Sequence, residues 1–283
     1  MKREVRIRAV RVETSGADIP AHWQRALRRA DDFSRLAVLA GVGAMGADAE
    51  TSPKEGRPDI GVFLGTTTGP LETNFRFLDT LFDNGEGQAS PTLFSHSVHN
   101  AAVGYLARLL NLQGPALTLT SPGWPFLAAL AEAQAALENT ELAAALVVAA
   151  EEESPLLIEA GERLTVATGE WQADGEEQQE STACRRGAVA WLLEAVEPGV
   201  ADGMRLREIM LAEQPSNPDF YLLRSGERFR PDAAARPAEV PRSLAAALAL
   251  SRALEECSRR GEPSLHWQAS APCGRAEVLI ELP

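Results

Sequence analysis

The sequence predicts a layered α/β protein, and three observations carry that prediction. The run Leu142–Ala150 is apolar throughout, as suits a strand buried on both faces. Ile60-Gly-Val-Phe-Leu64 is a second such strand, closed by the turn-rich Gly65-Thr-Thr-Thr-Gly-Pro70. Helix-length segments separate these runs, and the order strand, helix, strand, helix, strand places helices over a sheet.

Taken in order, Val5 and Ile7 alternate with Arg6 and Arg8, and the phase slips before Val10 and Val12. This predicts a half-buried strand near a sheet edge. A helix is expected from Pro20 into the Leu36–Leu39 region, broken before Gly41-Val-Gly-Ala-Met-Gly46. After the polar stretch Asp48–Pro58 and the Ile60–Leu64 strand, a helix carries Phe75, Phe77 and Leu78. Asn84–Gly87 is a loop, and Phe94–Asn100 leads into a helix through Leu110 whose small residues Ala101, Ala102 and Gly104 permit close approach. Leu117–Thr120 is a strand, Phe126–Leu137 a helix and Ala143–Ala150 a strand. The stretch Leu156–Thr182 is less regular and holds the acidic and polar run Ala173–Glu180, read as a solvated loop. Arg186–Glu194 and Met204–Ala212 are further strands, and residues 213–240 form a Pro-, Arg- and Asp-rich excursion. Leu244–Cys257 is a strong helix with an Ala-rich face, and Cys273–Leu282 is a strand introduced by a glycine turn.

Composition excludes several classes. The chain has 283 residues, 45% hydrophobic and 24% charged, in the range of a globular protein. A formal charge of -13 argues against nonspecific nucleic-acid binding, which needs a basic surface, although Arg-rich segments leave room for an acidic carrier protein to dock. Cys184, Cys257 and Cys273 are odd in number and far apart, with no disulfide framework. The histidines at 22, 96, 99 and 266 show no metal-binding HExxH spacing. No GxGxxG lies between a strand and a helix, and no Walker A pattern occurs, so no cofactor is expected. The basic N-terminus lacks a continuous apolar core and the longest apolar run is too short to span a bilayer. A cytoplasmic protein without membrane insertion is therefore expected.

The most informative stretch is Gly114–Leu130, a strand, a tight turn and a buried helix. A helix N-terminus offers unpaired N–H groups and a positive dipole end, which is where nucleophiles often sit. Here the turn carries Gly123 and Trp124 and no cysteine. Ser121 is the nearest hydroxyl, but it falls on the strand end, two positions early. Cys184 precedes Arg185 and Arg186, whose charge favours a thiolate, yet it stands before a strand; an incidental role is the better reading. Cys273 lies at the last turn, and Cys257 continues a helix face. His96 and His99 share a face only if their helix has already begun; capping and interface hydrogen bonds by Ser95, His96, Ser97, His99 and Asn100 are the plainer reading. Glu151-Glu-Glu153 is read as a solvated sheet end rather than a carboxylate site.

Taken together, these segments resemble the thiolase-like fold of β-ketoacyl synthases, and more narrowly the short proteins similar to the synthase N-terminal domain that accompany chain-length factors. Ile60–Gly69 matches the family's strand and glycine turn, and Phe94–Asn100 the segment before its long core helix. Gly114–Leu119 matches the entry into the nucleophile strand, and Gly187–Glu194 the strand that closes the N-terminal half. The resemblance is good from about Asp59 to Glu194 and looser beyond. It implies a layered α/β/α fold with a shortened C-terminal half: residues 1–198 as the core, and 199–283 packed on the same domain.

In this resemblance Pro122 replaces the family's alanine, Gly123 its cysteine, and Trp124 and Pro125 its small hydroxyl residues. No clear carrier of the catalytic histidines appears; His266 is in the right broad region but lacks their glycine-rich surroundings. Condensation needs a soft nucleophile to hold the acyl thioester and donors for the developing charge, and Gly123 cannot form that thioester. The resemblance thus implies a non-condensing accessory or chain-length-factor-like subunit, paired with an active β-ketoacyl synthase in aryl-polyene, polyketide or fatty-acid-like synthesis. An acyl carrier protein is the implied second partner. The strand Leu117, Thr118, Leu119, Thr120, with His96, His99 and Asn100, is the implied dimer interface. Trp124, Pro125 and Phe126 either line and gate an acyl tunnel or fill the void of a lost site. The alternatives are a homodimeric structural or carrier-binding protein, and a malonyl-carrier decarboxylase.

Overall fold

A computed structural model describes residues 3–14, 19, 21–46, 56–121, 123–152, 154–159, 186–199, 203–213, 243–271 and 274–283. In chain order the strands are β1 (Glu4–Glu13), β2 (Ile60–Thr66), β3 (Ala116–Thr120), β4 (Ala144–Glu151), β5 (Gly187–Val196), β6 (Met204–Glu213), β7 (Ser264–Ala271) and β8 (Gly274–Glu281). The helices are α1 (Ala21–Leu27), α2 (Asp32–Met45), α3 (Leu71–Asn84), α4 (Pro91–His96), α5 (Ala101–Leu110), α6 (Pro125–Asn139) and α7 (Ser243–Arg260). All eight strands join one mixed sheet in the order β3-β2-β4-β5-β1-β6-β8-β7. β2 runs parallel to β3 and β4, and every other neighbouring pair is antiparallel.

The period-2 alternation of strand side chains sorts the core into two bodies. Val62, Leu64, Leu146, Val148, Ala188, Ala190 and Leu192 pack with α1, α2 and α5. Their neighbours Phe63, Ala145, Val147, Ala149, Val189, Trp191 and Leu193 pack with α6 and α7 on the other face. The second body also takes Leu265, Trp267 and Ala269 from β7 and Ala276, Val278 and Ile280 from β8. Each large buried side chain contributes about 1.5–3 kcal/mol relative to exposure. α6 buries Phe126, Leu127, Leu130 and Leu137 as well as the small Ala129 and Ala133, so it is apolar on most of its circumference, as a helix inside a core must be. Ser251 is the polar exception on α7, and it is matched: its Oγ accepts the indole N–H of Trp191 at 2.9 Å.

Three expectations are corrected. β1 is an interior strand: β5 lies along it, and β6 pairs on its other side at Val5, Arg6 and Ile7. The slip in its alternation is a register shift between Ile7 and Ala9, a bulge rather than a sheet edge. An ion-pair ladder spans this region, with Arg6 and Arg8 on Glu194, Arg205 and Arg207 on Glu4, and Arg207 also on Glu281. This is why so many arginines sit on strands.

The expected single helix after Pro20 is two helices, α1 and α2. Asp31 caps α2 by accepting the Ser34 N–H at 2.7 Å. α2 then runs through Gly41 and Gly43 to Met45 and stops at Gly46, whose φ of 58° no branched residue adopts easily. Gly41 is present for contact: a Cβ there would meet Leu106 of α5 at 2.6 Å. The third correction concerns Glu151 and is given with the site. β7 adds a strand to those the sequence predicts; its Leu265, Trp267 and Ala269 are buried and alternate with the exposed His266 and Gln268.

β2 and the start of α6 meet at Gly65. A Cβ at that position would lie 2.0 Å from the Pro125 carbonyl oxygen and 2.8 Å from the Phe126 nitrogen, both backbone atoms. Gly65→Ala is therefore expected to lower stability by about 1–3 kcal/mol through overpacking. Urea unfolding checks this; a midpoint equal to that of the unmodified chain would contradict so close an approach.

Candidate functional site

The carboxyl ends of β2, β3 and β4 converge on the N-terminus of α6. β2 ends at Thr66 and the loop after it continues with Thr67 and Thr68, and the carboxylate of Glu151 at the end of β4 gathers all three. It accepts from Thr66 Oγ1 at 3.1 Å and the Thr67 N–H at 2.5 Å through one oxygen. The other oxygen accepts from Thr68 Oγ1 at 3.0 Å and the Thr68 N–H at 3.4 Å. Thr66 Oγ1 in turn accepts the Gly69 N–H at 2.9 Å. A buried carboxylate is tolerable when several donors replace its water, as here.

This cradle positions the turn after β3. Thr67 Oγ1 donates to the Ser121 carbonyl at 3.1 Å, and the Ser121 N–H donates to the Thr66 carbonyl at 3.3 Å. Ser121 Oγ accepts the Gly123 N–H at 3.3 Å. That hydroxyl is thus a local acceptor within its own turn, and the backbone donor at the Gly123 position is occupied by it. Trp124 occupies the N-cap position of α6 without a side-chain cap, and Pro125 takes the first turn, where its missing N–H costs nothing. The Trp124 side chain is buried in the same apolar body as Phe126. Phe126 stands edge-on to Trp191, with ring centroids 5.5 Å apart. The Trp124 indole nitrogen is buried and has no hydrogen-bond partner among the described residues.

The neighbouring Glu152 is a second buried carboxyl. It accepts the Glu72 N–H at the start of α3, at 2.7 Å. Burial pushes its pKa up to about 7; the Glu72 N–H opposes this, while Asp31, Glu72 and Asp32 add to it. The reading of Glu151 and Glu152 as a solvated sheet end is therefore wrong. Both are buried because α3 and the threonine loop lie over the end of β4. The available sequence signal was three consecutive threonines ending one strand beside carboxylates ending its parallel neighbour.

The histidines do not form a pair. His96 is the last residue of α4; its Nδ1 lies 2.7 Å from the Thr92 carbonyl and its Nε2 2.7 Å from the Tyr105 hydroxyl. His99 precedes α5, and its ring fills the space that a side chain at Gly69 would occupy. Asn100 makes no capping bond, because its φ of -88° and ψ of 5° are not the extended backbone that aims a side chain at the first N–H groups. Ser95 and Ser97 donate to the carbonyls of Thr92 and Phe94 instead. His266 is exposed on β7, 3.5 Å from Glu277. Cys257 is half-buried on α7, and burial raises its thiol pKa. Cys184, Cys273, Pro122, Glu153 and the run 173–180 lie outside the described residues.

β3 pairs with β2 on one side and has no strand on the other among the described residues. Leu117 is 45% exposed on it, Thr120 is exposed, and Thr118 and Leu119 are half-buried. Within the described residues no group of three His, Cys, Asp or Glu is placed to hold a metal ion, and no helix is long and apolar enough to cross a membrane.

The family profile described as the β-ketoacyl synthase N-terminal domain matches residues 15–190, and the chain belongs to that family. No curated protein sequence matches. Solved structures share the thiolase-like fold over nearly the whole chain. "The ishigamide ketosynthase/chain length factor" is 18% identical with a TM-score of 0.66, covering 99% of both chains. A type II polyketide acyl-carrier protein in complex with its ketosynthase (AntDE:AntF) is 14% identical with a TM-score of 0.69, covering 100% of both. The ketosynthase ApeO in complex with its chain length factor ApeC, from Xenorhabdus doucetiae, is 20% identical with a TM-score of 0.53, covering 98% of this chain and 99% of that one. The layered α/β/α architecture is therefore the expected one.

Trp124→Ala is expected to cost about 3–5 kcal/mol, as for other large aromatic truncations in cores. Trp124→Phe, which keeps an aromatic ring and removes the unpaired N–H, is expected to cost clearly less. Chemical denaturation of both variants checks the order; equal losses would contradict the placement of the indole.

Proposed function

We propose that this chain is a non-condensing, chain-length-factor-like subunit that pairs with an active β-ketoacyl synthase. The observation that carries the reading is the turn at Ser121–Pro125. The strand, turn and buried helix that present a nucleophile in this family are kept, but Gly123 offers no side chain and the next residue is an indole sunk in the core. An acyl thioester has nothing to form on at that position. The partner supplies the cysteine and the histidines, and an acyl carrier protein delivers the chain. The chemistry fits polyketide, aryl-polyene or fatty-acid-like synthesis in the cytoplasm.

Two further features support pairing. Among the described residues no strand pairs with the outer edge of β3, and the exposed Leu117 lies on it; an open edge bearing an exposed apolar side chain favours strand addition by another chain. His96, His99 and Asn100 lie in the segment between α4 and α5, and we assign them with Leu117–Thr120 to the contact surface. Trp124, Pro125 and Phe126 are assigned to occlusion: they keep the growing chain out of this subunit and confine it to the partner's cavity. In a reconstituted pair, Trp124→Ala is expected to lengthen the product; unchanged length sinks the occlusion role.

Co-expression with a cysteine-bearing synthase and an acyl carrier protein is the test of the pairing itself. A 1:1 complex is expected, and Leu117→Arg is expected to abolish it while leaving the circular dichroism spectrum intact. A stable homodimer that ignores the synthase would instead establish the structural or carrier-binding reading. Turnover of malonyl-carrier by the isolated chain would establish the decarboxylase reading.

A further inference from the structure

α3 and α4 form an arm that is attached to the body mainly at its root. Of the fourteen residues of α3, only Thr73 is buried. Beyond the root the arm packs on itself: the rings of Phe77 and Phe94 lie 5.4 Å apart, and the Ser90 N–H donates to Thr80 Oγ1 at 3.3 Å. Part of its apolar surface faces out, with Phe82 77% and Phe94 59% exposed and Leu78 also open. A helix with so little buried surface depends on what holds its first turn.

Polar contacts hold that turn. Glu152 at the end of β4 accepts the Glu72 N–H at 2.7 Å. Ser154 Oγ lies 3.5 Å from Glu72 Oε2. Thr73 Oγ1 donates to Asp31 Oδ2, at the start of α2, at 3.3 Å. Asn74 Nδ2 donates to the Ser97 carbonyl at 2.9 Å, joining α3 to the end of α4. Among the described residues, the charged groups that act on Glu152 are carboxylates: Glu72 on α3, and Asp31 and Asp32 at the start of α2. Asp32 is balanced in part by Arg35 and Arg186, at 3.7 and 3.5 Å. The adjacent Glu151 is turned to the threonine loop by its four donors.

We propose that Glu152 is a proton-operated latch: its neutral carboxyl fixes the root of the α3–α4 arm to the body, and loss of its proton loosens the arm and its exposed apolar face. The ionised form must sit buried beside Glu72, Asp31 and Asp32, and it escapes that cost by opening to water. The sign follows from linkage. A carboxyl held near 7 when buried in the closed arm, against an ordinary value of 4.5 once opened to water, binds its proton more tightly when closed. The latch is at full strength below the open-arm value, weakens as pH rises, and is spent above about 7. This device lies within the chain and does not require the proposed partner.

Hydrogen exchange of the isolated chain, with each rate corrected for intrinsic pH dependence, reads the opening of residues 71–84 directly. The opening constant is expected to rise by up to about tenfold per pH unit between pH 5 and 7 and to level off above. Glu152→Gln, neutral and of the same shape, is expected to hold the arm closed with no such rise. Asp31→Asn keeps a residue able to cap α2 and removes one neighbouring charge, so it is expected to lower the pH at which the rise ends; it carries the test if Glu152→Gln does not fold. A flat profile in the unmodified chain, the same rise in Glu152→Gln, or an unmoved end point in Asp31→Asn would each overturn the latch. Association with a synthase is not measured here, so pairing and latch fail separately.

Discussion

The meeting of β2 and α6 at Gly65 is the constraint on which the rest of the site depends. The Pro125 carbonyl passes so close to the β2 backbone that no side chain fits between them. With the helix seated there, its N-terminus must emerge at the end of the parallel strands, and the turn from β3 must be short. Glu151 then fastens the loop after β2 through Thr66, Thr67 and Thr68, and that loop fastens Ser121. A rigid junction of this kind can present a nucleophile. In this chain it presents Gly123, with Trp124 anchored in the apolar body beside it.

The same seat divides the molecule. The face of the sheet bearing α1, α2 and α5 closes over one apolar body, while α6 and α7 lie in the other together with β7 and β8. The bond from Trp191 to Ser251 ties the central sheet to α7, and the arginine–glutamate ladder crosses from β5 through β1 to β6 and β8. Individually exposed pairs contribute little, but a connected ladder fixes strand register. The scaffold is held by apolar packing and this ladder.

Much of this was legible in the sequence where burial leaves a periodic mark. Gly61–Leu64, Ala144–Ala150 and Gly187–Leu193 are buried on both faces and read as continuous apolar strands. The slip in Val5–Val12 was visible, but a bulge inside a sheet and a strand at its edge leave the same local pattern. The glycines of α2 looked like a helix break because their cause, the approach of Leu106, lies on another element. Glu151 and Glu152 looked solvated for the same reason: the threonine loop and the first turn of α3 that bury them are 80 or more residues away in sequence. Local composition records what a residue is, and tertiary contact decides what it meets. The strand, turn and helix around Gly123 are legible in composition, while the polar tethering of the turn becomes visible only in three dimensions.

The central claim is that this turn carries no acyl chain and that a partner does the bond-forming work. Incubating the reconstituted pair with an isotopically labelled acyl-carrier thioester, and then locating the label by mass spectrometry after denaturation, tests it most directly. The account predicts label on a cysteine of the partner synthase and none on this chain. A covalent acyl group on Ser121, or on any of Cys184, Cys257 and Cys273, would contradict it.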